Sequence, residues 1–140
     1  MLSAEPELAA VEHDDLALRI RILGVGDPRE EDTKLGSMIT RAHWEKVTGY
    51  IDIGRKEGAT VAAGGAPPEN LPPRVKQGNF VRPTVLTNVD NRMRVAQEEI
   101  FGPVTSVIPF STLDEAIDIV NGVAYGLSSA IYTQDVNHAF

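Results

Sequence analysis

The 140-residue sequence contains no cysteine, which excludes a disulfide framework and any metal site built on thiolates. It also has no apolar run that approaches the roughly 18 residues needed to span a bilayer. The first residues are acidic where a secretory signal needs basic residues, and no apolar stretch follows them. We therefore predict a cytoplasmic protein without a membrane partner.

Basic residues are few, since 13 Lys and Arg stand against 20 Asp and Glu for a net charge of −7. No Lys/Arg cluster is available to neutralise phosphates, so we expect no nucleic-acid partner. The three histidines, His13, His43 and His138, are far apart and lack metal-ligand spacing. No metal site is predicted.

The rest of the composition is that of an ordinary globular domain, with 42% apolar and 24% charged residues. Residues 1–15 form an acidic, weakly patterned segment, and residues 16–140 are predicted to form the folded part. Strand-like and helix-like segments alternate along it, which favours βαβ units. The predicted fold class is α/β, with a largely parallel sheet and flanking helices.

The clearest predicted helix follows Thr40, a plausible N-cap. Trp44, Val47 and Ile51 recur at i, i+3 and i+7, which places them on one helical face. Gly58 stands where a helix end favours a residue with positive φ. A second helix is predicted after Thr112, whose hydroxyl and the Glu115 carboxylate fit a capping box.

Other segments are short and rich in β-branched or apolar residues. Residues 16–22 fit a strand by alternation and a helix by composition, and both readings stay open. A proline-rich surface loop is expected over residues 65–79. Asp135 resembles the N-cap of a further helix. Strands are predicted at Thr60–Ala63 and residues 80–89, 104–110 and 126–133.

A search for known chemical motifs finds one candidate. Gly24-Val25-Gly26 is not a dinucleotide fingerprint, because the third glycine would fall on Arg29, and it indicates a turn. The run Glu98–Val104 reads Glu-Glu-Ile-Phe-Gly-Pro-Val. Adjacent carboxylates are commonly plain surface charge. A carboxylate held at such a junction could instead accept two hydrogen bonds from a vicinal diol such as a ribose, with a Phe packed against a flat ring.

This run resembles a signature of the aldehyde dehydrogenase superfamily, whose members oxidise aldehydes through a cysteine thiolate and NAD or NADP. Several further stretches resemble the later part of that family's catalytic domain in order and approximate spacing. They are residues 26–28, 33–36, 49–65, 78–89, 93–104 and 125–127. The resemblance implies a partial chain from the C-terminal part of the catalytic domain.

The resemblance also implies roles for individual residues. Glu99 would hold the nicotinamide ribose hydroxyls, and Phe101 would flank the nicotinamide. Lys46 and His43, on the predicted helix, would reach the cofactor as well, although His43 stands where many members have glutamine. For Lys46 a solvated helix charge is an equally good reading.

The family's nucleophilic cysteine and general-base glutamate lie upstream of the matching segment. The chain is therefore predicted to be inactive alone, supplying a nicotinamide-ribose clamp for an enzyme that converts aldehydes to carboxylic acids. An alternative is a non-catalytic module that associates with a full-length aldehyde dehydrogenase. Candidate partners are the aldehyde substrate, a second copy of the chain and a full-length relative.

Overall fold

The computed structural model describes residues 15–132. Helices and strands alternate along much of this range, and the predicted α/β class is confirmed. None of its helices is long and apolar enough to cross a membrane. In chain order the elements are α1 (residues 15–21), α2 (Arg41–Glu57), β1 (Thr60–Ala63), β2 (Thr84–Thr87), α3 (Arg94–Gln97), β3 (Val104–Ser106) and α4 (Leu113–Asn121).

The three strands form a mixed sheet in the order β1-β2-β3. β2 pairs with β1 in antiparallel fashion and with β3 in parallel fashion, so parallel pairing accounts for half of the strand pairs described. The central strand begins directly after Pro83, which has no N–H for a ladder, so β2 is shorter than the strand predicted over residues 80–89. Its residues Thr84, Val85 and Leu86 are buried.

Helix α2 confirms the clearest sequence prediction. The Thr40 hydroxyl accepts a hydrogen bond from the His43 N–H at 3.1 Å and caps the first turn. The helix ends at Gly58, whose φ of 108° lies in the left-handed region that glycine adopts without strain. Val47 and Ile51 are buried on the predicted face.

Alternation along β2 separates two apolar clusters. Leu86 lies in the larger cluster with Val47 and Ile51 of α2. Val85 lies in the smaller cluster with Ala17 of α1. The sheet is therefore covered by α2 on one face and α1 on the other, and residues 16–22, which fitted either a strand or a helix, lie mostly in a helix.

One prediction fails near the end of the described range. Residues 126–132 are not a strand, and their backbone joins no ladder. Strand composition supplies only a propensity, because a strand needs a paired neighbour for its N–H and C=O groups. The predicted N-cap at Asp135 and residue 133 lie outside the described residues.

Two other predictions hold in modified form. Strand β3 ends at Ser106 rather than at residue 110. At α4 the Thr112 hydroxyl accepts from the Glu115 N–H at 3.2 Å as predicted, but the Glu115 carboxylate accepts from the Ser111 N–H at 2.7 Å instead of from Thr112. The Glu115 carboxylate therefore pairs with the N–H of Ser111, one residue before the N–H of Thr112 that a standard capping box uses.

Candidate cofactor-holding loop

The segment between α3 and β3, residues 98–103, lies against α2 and is called the 98–103 loop below. Lys46 donates a hydrogen bond from Nζ to the Glu99 carbonyl at 3.0 Å. His43 Nε2 lies 2.6 Å from the Phe101 carbonyl and must be the donor, since a carbonyl only accepts. Both side chains come from the first half of α2, where the helix spacing places them on one face.

Close backbone packing fixes the same loop from a second side. A Cβ built on Gly102 would lie 2.5 Å from Val47 Cγ2, so only glycine lets the loop approach α2 this closely. Phe101, just before it, has a φ of 56° in the left-handed region. Such a conformation is unusual for a bulky residue and is typical of places where the surroundings impose it.

The Phe101 side chain is 72% exposed, although it is a large apolar group in a tightly held segment. Its ring centroid lies 6.1 Å from that of His43, with the planes tilted by 39°. The ring therefore presents a free aromatic surface beside the imidazole, as a flat ligand ring would require.

The adjacent carboxylates Glu98 and Glu99 differ sharply. Glu98 accepts hydrogen bonds from Arg94 Nε at 2.7 Å, from Arg94 Nη2 at 2.9 Å and from the Tyr50 hydroxyl at 2.5 Å. The Arg94 guanidinium, followed by the Tyr50 hydroxyl, lowers the pKa of Glu98 to about 2. Glu99 is exposed, and within residues 15–132 its carboxylate takes part in no hydrogen bond. One carboxylate holds the loop and the other stays available.

An open groove of about 810 Å³ lies between this loop and the region of α4. Phe101 and Gly102 line one side, and Ile119 and Tyr125 line the other. Phe101 belongs to this lining, whereas Glu99 does not. The groove thus reaches Phe101 but not Glu99.

All four residues predicted as cofactor-binding, Glu99, Phe101, Lys46 and His43, therefore meet in one place. The structure places Lys46 and His43 on the loop's carbonyl groups. Trp44, next to His43, is half-buried, and its indole N–H donates to the Phe80 carbonyl at 2.8 Å. Trp44 also packs against the apolar cluster of Val47 and Ile51, with which it shares the predicted helical face.

Sequence reasoning missed Tyr50 and Arg94. Tyr50 lies four residues after Lys46 and seven after His43, so helical spacing alone places it on their face. Arg94 and Glu98 form an i, i+4 pair of opposite charge, which is also readable from the sequence. Both patterns are in the sequence, but neither indicates a role at the site until the position of the loop is known.

A second charged cluster lies away from this loop. The buried Asp27 carboxylate accepts from Arg29 Nε at 3.1 Å and Nη2 at 3.0 Å, and also from Arg74. Hydrogen bonds from Arg29, then from Arg74, hold the pKa of Asp27 well below its usual range. Both oxygens of Asp27 are paired, and the cluster joins residues 24–37 to the proline-rich loop.

Comparison with known proteins places this geometry in a family. The model of the aldehyde dehydrogenase family matches residues 10–140. A 5-carboxymethyl-2-hydroxymuconate semialdehyde dehydrogenase from Escherichia coli is 55% identical over 128 residues, which cover 91% of this chain and 27% of that protein. A 4-trimethylaminobutyraldehyde dehydrogenase from Oryzias latipes is 40% identical over 126 residues, covering 90% of this chain and 25% of its own length.

Solved structures of aldehyde dehydrogenases also match this chain. The crystal structure of a betaine aldehyde dehydrogenase from Staphylococcus aureus in complex with NAD+ superimposes with a TM-score of 0.89 at 37% identity. The match covers 96% of this chain and 26% of that structure. The chain thus spans about a quarter of the length of the relatives it matches. By sequence and by fold, it belongs to the aldehyde dehydrogenase family.

Proposed function

We propose that this chain supplies the nicotinamide-ribose clamp of an NAD(P)-dependent aldehyde dehydrogenase and comes from the C-terminal part of its catalytic domain. The NAD+ complex of the Staphylococcus aureus relative favours NAD as the cofactor. The substrate of the complete enzyme would be an aldehyde, oxidised to a carboxylic acid in the cytoplasm.

The observation that carries the proposal is the contrast between a fixed backbone and a free side chain at Glu99. Lys46 holds the Glu99 carbonyl, while the carboxylate is exposed and makes no hydrogen bond within residues 15–132. A carboxylate has two oxygens that accept from neighbouring hydroxyls of a ribose. The exposed Phe101 ring next to it offers a flat apolar face to the nicotinamide.

These residues fit the nicotinamide half of the cofactor, which accepts a hydride when bound. The contribution of Glu99 and Phe101 is to orient that half. Correct orientation can lower a reaction barrier by several kcal/mol, which accounts for a loop that is held firmly in one position. Because the 140 residues contain no thiol, we propose that the chain alone does not oxidise aldehydes.

The proposal is tested by replacing Glu99 with Gln, which keeps the shape of the side chain and removes its charge. NAD+ affinity of the chain is measured by isothermal titration. We expect Glu99→Gln to weaken binding by roughly tenfold, since hydrogen bonds to a charged acceptor are worth about 1.5–3 kcal/mol. Glu69→Gln, an equal change at an exposed glutamate in the proline-rich loop, should leave the affinity unchanged. Equal affinities for the chain and for Glu99→Gln would contradict the clamp.

A second candidate is a non-catalytic module that associates with a full-length aldehyde dehydrogenase. It is favoured by α4, none of whose residues is buried. Leu113, Ile117 and Val120 expose apolar surface on this helix. Sedimentation of the chain with and without such an enzyme separates the two candidates, because only the module requires a mixed complex.

A further inference from the structure

The polar contacts of the 98–103 loop with α2 come from one stripe of the helix. His43, Lys46 and Tyr50 stand at i, i+3 and i+7, and their polar atoms contact Phe101 O, Glu99 O and the Glu98 carboxylate in turn. The helix therefore holds the loop at three points along its length. The first two contacts act on the backbone, and only the Tyr50 contact acts through a side chain of the loop.

Tyr50 is itself held in place. Two cations approach its ring, with Lys46 Nζ at 5.8 Å and Arg94 Cζ at 5.6 Å from the ring centroid. Both distances are within the range of favourable cation–π contacts. The two cation–π contacts and the hydrogen bond from the hydroxyl to Glu98 Oε2 together hold the ring against α3 and the loop.

Glu98 transmits this constraint to the backbone. Its N–H donates to the Arg94 carbonyl at 2.9 Å at the end of α3, while its carboxylate is held by Arg94 and Tyr50. Main chain and side chain of one residue are therefore anchored to two elements. The next residue is Glu99, whose carbonyl is the Lys46 contact.

We propose that Tyr50, acting through Glu98 and Arg94, is a positioning residue that sets the orientation of Glu99 and Phe101 toward the nicotinamide ribose. This inference rests on the proposed function, because it names the residue that orients the nicotinamide-ribose clamp. The Tyr50 hydroxyl donates to the Glu98 carboxylate, whose pKa is lowered first by Arg94 and then by Tyr50. Loss of the hydroxyl leaves the two backbone contacts and the Arg94 pair in place and removes the tie between the Glu98 side chain and α2.

The test uses the full chain labelled with ¹⁵N and nicotinamide mononucleotide as the probe, since this molecule carries the nicotinamide ribose without the adenosine half. Affinity is measured from the amide shifts of residues 98–102 in the unmodified chain, Tyr50→Phe, Glu99→Gln and the double variant. We expect Glu99→Gln to weaken binding roughly tenfold and Tyr50→Phe about fivefold. The double variant should bind within about twofold of Glu99→Gln, because residues that act through one another are not additive.

Each outcome is decisive. Fully additive losses, or an unchanged affinity in Tyr50→Phe alongside a loss in Glu99→Gln, overturn the positioning role and leave the clamp intact. An unchanged affinity in Glu99→Gln overturns the clamp and the positioning role together. The matched control is Asp90→Asn, which breaks a similar bidentate pair with Arg92 at 2.9 and 2.8 Å outside the loop and should leave the affinity unchanged.

A measurement without ligand tests the same inference by a second route. Glu98→Gln keeps the shape of the side chain and removes the charge that Arg94 and Tyr50 hold. Both Glu98→Gln and Tyr50→Phe should shift the Hα and amide resonances of Phe101, and Asp90→Asn should not. Identical Phe101 resonances in all the variants overturn the positioning role.

Discussion

Helices α2 and α4 begin in the same way but differ completely in burial. Each starts at a threonine whose hydroxyl accepts from the N–H three residues on, at 3.1 Å for Thr40 and 3.2 Å for Thr112. Each is followed by a glycine. Yet α2 buries Val47 and Ile51, whereas no residue of α4 is buried.

The difference teaches that local signals decide where a helix forms and partners decide what it contributes. A cap is worth about 1 kcal/mol whatever the helix packs on. The larger contribution to the free energy of folding comes from apolar surface removed from water. Helix α2 buries such surface against β2 and against the segment around Val95 and Ile100. The 98–103 loop lies on the helix that has this support.

Cavity-forming substitutions should separate the two helices most strongly. Ile51 is 2% exposed and Ile117 is 47% exposed. We expect Ile51→Ala to lower the free energy of unfolding by about 2–5 kcal/mol. Ile117→Ala should change it by less than about 0.5 kcal/mol. Urea unfolding followed by the fluorescence of Trp44, the sole tryptophan, measures both, and similar losses would remove the contrast.

Glycines near the two helices give the next largest effect. A Cβ on Gly102 would meet Val47 of α2 at 2.5 Å, whereas one on Gly126, beyond α4, meets nothing within 4 Å. We therefore expect Gly102→Ala to cost about 1–3 kcal/mol through overpacking, and Gly126→Ala to leave stability nearly unchanged. The same urea unfolding checks the pair. An unchanged free energy of unfolding in Gly102→Ala would mean that the loop can move away from α2 at little cost.

The smallest effect concerns the ionised contact between α2 and the loop. The pKa of Glu98 is lowered from 4.5 to about 2, so its contribution is fully present above its unfolded pKa and is lost as the pH falls through the folded value. The stability difference between the unmodified chain and Glu98→Gln should therefore be constant near neutral pH and shrink between pH 4.5 and about 2. Urea unfolding at several pH values measures it, with Glu69→Gln as the control. A pH-independent difference would argue against the ion pair.

Much of the fold could be predicted because its signals are local. The Thr40 cap, the apolar spacing of Val47 and Ile51, and the ending at Gly58 are all within one stretch of sequence. Residues 126–132 show the limit, since strand composition was present there without a paired neighbour. The four predicted site residues share a location, but their contacts depend on how α2 meets a loop more than 50 residues later, which no local signal in the sequence gives.

The sequence by itself determined the helix caps, the α/β class and the resemblance of the run Glu98–Val104 to the aldehyde dehydrogenases. Only the tertiary structure decided which of two adjacent glutamates is an anchor and which is free. Glu98 and Glu99 are chemically identical, and neighbouring residues of an extended segment point to opposite sides. Glu98 faces Tyr50 and Arg94 and is paired with them, while the side chain of Glu99 is exposed. Packing of the loop against α2, a contact between distant parts of the chain, decides this difference.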